Sequence, residues 1–212
     1  MDGAGLRARL ARSRLYLVLE ARPHGADPRP LLEAALRGGV DVVQLRDKEL
    51  AGEALVAAAE PFRTVCPEYG ALFVLNDRPD LVEACGADGV HVGRSDTPVE
   101  EARVLVGPDR LVGVSVSTLG ELEDVAGADY VGVTAFATPT KEDAVAGGLA
   151  LLRASAQALR VPWFAIGGIE PSNVGEVAAA GAPGVAVVRA IRDAEDPEAA
   201  ARQLREALDR HE

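Results

Sequence analysis

Aromatic side chains are scarce in this 212-residue chain, which has four Phe, three Tyr and one Trp. Ala, Leu, Val and Gly supply the apolar share instead, as expected where strands are covered by helices on both faces. Cysteine is scarcer still. Cys66 and Cys85 are too few for a metal cluster or a disulfide framework, and each sits in an apolar helical stretch that reads as plain packing. Positive charge is also in deficit: the formal net charge of -11 excludes a nucleic-acid-binding surface, which needs a net positive footprint. A few convergent Lys and Arg residues can still hold a small anion against that background. No apolar run approaches the roughly 20 residues of a membrane span, and the N-terminus lacks the apolar core of a secretory signal. A cytoplasmic enzyme is the expected class. No Pro/Gly/Ser linker or shift in composition divides the chain, so residues 1–212 are read as one domain.

What the chain does have is a regular alternation. Short apolar runs at 14–20, 40–48, 71–75, 89–92, 111–114, 129–133, 161–166 and 184–188 read as strands. Helical segments follow at 30–36, 50–65, 79–85, 98–105, around Leu122 and Val125 with Ser117 or Thr118 as cap, at 149–159, from 171 onward and at 197–208. A further short helix at 2–13 precedes the first strand. A punctuation recurs before four strands, as Gly39-Val40-Asp41, Gly86-Ala87-Asp88, Gly127-Ala128-Asp129 and Gly181-Ala182-Pro183. There glycine can take the left-handed conformation that ends a helix. The pattern predicts an α/β fold, a closed (β/α)8 TIM barrel, over a doubly wound open sheet, which lacks here a glycine-rich loop after its first strand.

Parallel strands deliver their C-terminal ends to one rim, where such folds place ligands. Several strands here exit in polar residues. Gln44, Arg46 and Lys48 alternate with apolar or acidic neighbours, so a strand period of two aims an amide and two cations at the mouth; a polar rim sealing the barrel reads equally well. Asn76, Asp77 and Asp96 each fit a cap or turn, and together the two carboxylates suit Mg²⁺, which favours a few carboxylates plus water and phosphate. His91 is expected to be structural, hydrogen bonded inside the barrel, and His24 an exposed loop residue. Ser115 lacks the partners and the elbow of a hydrolase nucleophile and suits a hydrogen bond to an oxygen-rich ligand. Thr138, Thr140 and Lys141 make a donor-rich loop fit for a diphosphate or for solvent. Gly167-Gly168 and the stretch 184–190 stand where many barrels hold phosphate with backbone amides.

The ordered set Val43-Gln44-Leu45-Arg46-Asp47-Lys48, Leu75-Asn76-Asp77-Arg78, Gly86-Ala87-Asp88-Gly89-Val90-His91-Val92-Gly93, Gly113-Val114-Ser115, Thr138-Pro139-Thr140-Lys141 and Ala165-Ile166-Gly167-Gly168-Ile169 resembles the thiamine-phosphate synthase family from about Leu15 to Ile191. The resemblance implies a barrel that joins a hydroxymethylpyrimidine diphosphate to a thiazole phosphate. It implies that Gln44 recognises the pyrimidine, that Arg46, Lys48, Asn76 and Lys141 hold the diphosphate, and that Asp77 and Asp96 bind Mg²⁺. Ser115 would assist at the reacting centre beside Lys48 and Lys141, and Thr138 and Thr140 would line the active-site loop. Gly168, Val188 and Arg189 would receive the thiazole phosphate. Three departures stand out: Arg94 replaces the usual glutamine, Arg189 the usual serine, and Thr134-Ala135-Phe136-Ala137 shortens the loop before Thr138. These departures bear on substrate fit and rate, the alternative being that the two arginines add phosphate contacts. A thiazole tautomerase of the same superfamily is expected to carry a histidine where this chain has Ser117, and a noncatalytic phosphate-ligand-binding barrel is the reading from another class. A homodimer is compatible with barrels that bury helix faces, and no stripe of residues identifies its interface.

Overall fold

The computed structural model describes residues 2–136 and 148–210. Eight strands close a parallel barrel: β1 (Leu15–Leu19), β2 (Val42–Leu45), β3 (Leu72–Asn76), β4 (Gly89–Val92), β5 (Leu111–Val116), β6 (Tyr130–Thr134), β7 (Trp163–Ile166) and β8 (Val185–Val187). The seam pairs Leu15 with Val185, Tyr16 with Ala186 and Leu17 with Val187. Closure removes both sheet edges and leaves the strand ends as two rims. The (β/α)8 reading of the alternation therefore holds.

The period of two sorts each strand into an inner and an outer set. Leu15, Leu17, Leu19, Val43, Leu45, Phe73 and Leu75 pack outward into the layer shared with the helices. Tyr16, Val18, Val42, Leu72, Val74, Leu111, Tyr130, Phe164 and Ala186 form a separate inner cluster. Among the described residues the helical members of that inner cluster are Leu6 and Leu10 of α1 (Gly3–Leu10), each 1% exposed. They meet the first inward residues of several strands, so α1 plugs the N-terminal end of the barrel. Asp2 caps α1 by accepting from the Gly5 amide at 2.9 Å, and Arg7 ties it to Asp129 at 2.7 Å and to the Pro108 carbonyl at 2.9 Å.

The outer helices are α2 (Arg29–Arg37), α3 (Gly52–Ala58), α4 (Glu60–Glu68), α5 (Val82–Cys85), α6 (Val99–Val106), α7 (Gly148–Ala158), α8 (Val174–Ala179), α9 (Arg189–Arg192) and α10 (Pro197–Asp209). Gly39, Gly86, Gly127 and Gly181 all have positive φ, at 105°, 68°, 82° and 101°, as the recurring punctuation requires. Its acidic residue has a second task. Asp41, Asp88 and Asp129 each stand before one strand and accept backbone amides at the start of the strand before it: Leu15 at 3.0 Å, Phe73 at 2.9 Å and Val112 at 2.8 Å. These amides would otherwise be orphaned at the sealed end.

Several element boundaries differ from the sequence reading. The helix expected at 50–65 is two helices, because Pro61 has no N–H to offer the Ala57 carbonyl, and the second half runs on through Pro67 to Glu68. The helix expected around Leu122 and Val125 is one 3₁₀ turn, Gly120–Glu123. There the Glu121 carboxylate accepts the Ser117 and Thr118 amides at 2.6 and 3.3 Å, while Ser117 Oγ is hydrogen bonded to Thr134 Oγ1 at 2.9 Å. β7 starts at Trp163, after Pro162, and α9 follows β8 directly. Both cysteines are free and buried, and burial pushes both thiols up from their ordinary range. Among the described residues no helix is long and apolar enough to cross a membrane.

Candidate active site

The C-terminal rim is built from inward-facing strand residues and the turns after them. Gln44 is 4% exposed inside the barrel. β2 ends one residue later, although the Arg46 amide still reaches the Leu19 carbonyl at 2.9 Å. The alternation argument therefore reaches Arg46 and stops. Lys48 lies past the strand, exposed in a bend where Asp47 Oδ1 accepts the Glu49 and Leu50 amides. Its direction is therefore not set by strand pleating.

β3 delivers Asn76 and Asp77. A three-residue turn, closed by the Arg78 amide on the Asn76 carbonyl at 2.8 Å, holds Asp77 at φ 60°, a left-handed conformation that Asp tolerates better than most residues. The turn is anchored by the Asp77 amide on the His91 carbonyl at 2.9 Å, and Asn76 Nδ2 donates to Asp77 Oδ2 at 2.5 Å. After β4, Asp96 Oδ2 accepts the Gly93 amide at 2.9 Å. A Cβ at Gly93 would lie 2.5 Å from that same oxygen, so the glycine makes room for the carboxylate.

Asp77 and Asp96 confront each other. Burial, the Asp96 charge and a hydrogen bond with Asp96 push the Asp77 carboxyl up to about 6, against smaller opposing pulls from Arg46 and Asn76. Two carboxylates held this close fit a divalent cation placed between them. No group of three or more His, Cys, Asp or Glu residues among those described could hold a metal by itself. Two protein carboxylates with the remaining oxygens left to water and phosphate is the donor set Mg²⁺ favours.

Ser115 faces inward on β5, 2.9 Å from His91 Nε2, and His91 Nδ1 lies 3.2 Å from Tyr130 Oη. His91 is thus hydrogen bonded within the barrel, as expected. His24 is exposed and pairs with Asp193 at 3.1 Å. At the far side of the rim Gly167 and Gly168 both have positive φ, at 106° and 59°, and a Cβ on Gly167 would collide with the Phe136 carbonyl oxygen. Val188 follows β8 at the N-cap position of α9, and Arg189 opens α9 with its side chain exposed. The structure thus brings Gln44, Arg46, Asn76, Asp77, Asp96, Ser115, Gly168, Val188 and Arg189 to the C-terminal rim. Thr138, Thr140 and Lys141 lie outside the described residues.

Arg94, which the sequence offered as an alternative phosphate contact, is engaged by the protein itself. It turns aside to Asp124 Oδ2 at 2.8 Å and the Glu121 carbonyl at 2.6 Å. Sequence reasoning also passed over Tyr16 and Tyr130, which look like ordinary strand aromatics. The available signal was glycine at the inward positions 113 and 132. A Cβ at Gly113 would fall within the Tyr130 ring, and one at Gly132 would lie 3.2 Å from His91 Cε1.

With that geometry in place, comparison with known proteins is decisive. The sequence profile of the family described as thiamine monophosphate synthase matches residues 15–191. The chain belongs to that family. Within it, a Saccharopolyspora erythraea protein named thiamine-phosphate synthase is 45% identical over 219 residues, covering 98% of this chain and 98% of the relative. A Gloeobacter violaceus protein of the same name is 47% identical over 198 residues, 92% of this chain, and the match spans only 57% of that longer relative. Among solved structures, thiamine phosphate pyrophosphorylase from Pyrococcus furiosus superposes with a TM-score of 0.86 at 33% identity, covering 95% of this chain and 98% of that one. A 3-hexulose-6-phosphate synthase from Salmonella typhimurium, with a TM-score of 0.69 at 19% identity, shares the fold.

Proposed function

We propose that this chain is a thiamine-phosphate synthase, a transferase that couples 4-amino-5-hydroxymethyl-2-methylpyrimidine diphosphate to 4-methyl-5-(2-phosphoethyl)thiazole and releases diphosphate, working in the cytoplasm. The observation that carries this reading is the Asp77–Asp96 carboxylate pair on the same rim as Gln44, Arg46, Asn76 and Ser115. In this scheme Gln44 recognises the pyrimidine. Arg46, Lys48, Asn76 and Lys141 hold the diphosphate, with Thr138 and Thr140 along the loop. Gly168, Val188 and Arg189 receive the thiazole phosphate. Asp77 and Asp96 would hold Mg²⁺, whose charge offsets the negative charge that grows on the leaving diphosphate.

The chemistry asks for few groups. The bond between the pyrimidine methylene carbon and the diphosphate oxygen breaks, and its electron pair leaves with diphosphate. The aminopyrimidine ring stabilises the resulting cation. The thiazole nitrogen then donates its lone pair to form the C–N bond. That nitrogen carries no proton, so no general base is needed, and preorganised cations and hydroxyl donors at the leaving group supply the main assistance. The tautomerase alternative gains nothing at position 117, where Ser117 Oγ is engaged with Thr134.

The test combines purified protein, Mg²⁺ and both substrates, with thiamine phosphate followed by mass and diphosphate by a coupled assay. Both products should appear together and be lost in Asp77→Ala and Lys48→Ala variants that remain folded. Absence of both products with folded wild-type protein would sink the assignment.

A further inference from the structure

The barrel interior holds a continuous row of hydrogen bonds that joins two residues of the proposed site through three that have no role in it. Gln44 Nε2 donates to Tyr16 Oη at 2.8 Å, Tyr16 Oη lies 3.0 Å from Tyr130 Oη, Tyr130 Oη 3.2 Å from His91 Nδ1, and His91 Nε2 2.9 Å from Ser115 Oγ. Tyr16 and Tyr130 are 2% and 1% exposed. Burial pushes both phenols well above their ordinary range, so both keep their hydrogens.

Each phenol has one hydrogen to give, and the row therefore has a sense. The amide of Gln44 starts it. Tyr16 accepts from the amide and donates to Tyr130, and Tyr130 donates to His91 Nδ1. His91 then carries its hydrogen on Nε2 and donates to Ser115 Oγ. The hydroxyl hydrogen of Ser115 is thereby left for an acceptor at the rim, while Oε1 of Gln44 is left for a donor. An aminopyrimidine supplies the donor, and a diphosphate oxygen the acceptor. Run in the opposite sense, the row would commit the Ser115 hydrogen to His91 and present only lone pairs to an anion.

We infer that Tyr16, Tyr130 and His91 are positioning residues that fix the amide sense of Gln44, the Nε2–H tautomer of His91 and the donor orientation of Ser115 as one unit. The inference rests on the synthase reading for its ligands, and on the interior geometry alone for its wiring. Gly113 and Gly132 belong to the same device, since they open the space that the Tyr130 and His91 rings occupy.

Two measurements test it on the full chain. The first needs no substrate: nitrogen-15 spectra of histidine-labelled protein, with the His91 signals assigned by their loss in His91→Gln. A bare Nδ1 and a protonated Nε2 are expected in the wild type, with that preference lost in Tyr130→Phe. A wild-type Nδ1–H tautomer would overturn the relay. The second uses steady-state kinetics. Tyr16→Phe and Tyr130→Phe should each lower kcat/KM for the pyrimidine diphosphate by about tenfold, with KM for the thiazole phosphate unchanged. The double variant should be no worse than the poorer single one, because either cut breaks the same row. Losses that multiply would show two independent packing defects and reject the relay. A folded protein with the Nε2–H tautomer but no turnover would reject the synthase reading while upholding the wiring.

Discussion

Asp77 is held in a left-handed turn against a second carboxylate, and both features work against the unliganded protein. Its folded carboxyl titrates at about 6 where an ordinary aspartate titrates at 3.8. A group whose folded value is raised contributes stability that is complete below 3.8 and is lost as pH rises through about 6. The loss is on the order of 1–2 kcal/mol after allowance for solvent screening at a half-open rim. Asp77→Asn should therefore raise the melting temperature of metal-free protein by roughly 2–6 °C at about pH 7.5 and change it little near pH 4. Thermal melts in chelator check this, and an unchanged or lowered melting temperature at the higher pH would refute it. The same variant should lose synthase activity. At this scale the positions of Gln44, Asn76, Asp77 and Ser115 at strand ends were legible in the sequence, because each closes an apolar run, whereas the roles assigned to them came from the family resemblance. Tyr16 and Tyr130 were not legible, since an aromatic in a strand reads as core whether or not its hydroxyl has a partner. The charge of Arg94 left an anion contact open, whereas Asp124 and Glu121, some 30 positions away in sequence, stand beside it.

Among the elements, α1 separates stability from chemistry. Leu6 and Leu10 fill the barrel end opposite the rim, and truncating a buried leucine removes both transfer energy and packing. Leu10→Ala should destabilise the fold by about 2–5 kcal/mol while leaving KM for both substrates unchanged. Denaturant unfolding paired with steady-state kinetics measures both, and a raised KM with unaltered stability would contradict the division of labour. The eight strands and most helices could be read from periodicity and glycine. The split between α3 and α4 turned on one missing amide at Pro61. The collapse of the expected helix around Leu122 into a single turn turned on Glu121 drawing the Ser117 and Thr118 amides to its side chain. Neither is visible in an apolar pattern. The punctuation before the strands was visible, but the task of its carboxylates was not: Asp41, Asp88 and Asp129 act across the sheet, on amides 15 to 26 residues earlier.

For the whole molecule, the last helix packs back against the first strand. Arg14 Nη2 donates to the Leu208 carbonyl at 3.0 Å, and Arg205 Nη1 pairs with Asp41 at 2.8 Å. Leu204 and Leu208 are fully buried, and α10 lies so near Gly38 that a Cβ there would sit 2.5 Å from the Glu198 carbonyl oxygen. Deleting 197–210 should leave the β1–β8 seam uncovered and yield protein that binds hydrophobic dye and is rapidly cleaved by protease. A truncated chain that melts cooperatively near the wild-type temperature would disprove this. Family, fold and rim were all legible at this scale, because they rest on order along the chain.

The plug formed by α1 also has a kinetic meaning. A vessel stoppered at one end has a single doorway, and whatever lodges deepest must arrive first and depart last. Gln44 is 4% exposed inside the barrel, whereas Arg189 is exposed at its rim. On the proposed synthase reading, the pyrimidine diphosphate should enter before the thiazole phosphate, and the joined product should withdraw through the same passage. Geometry would then impose a sequence of arrivals on a reaction whose chemistry alone does not require one.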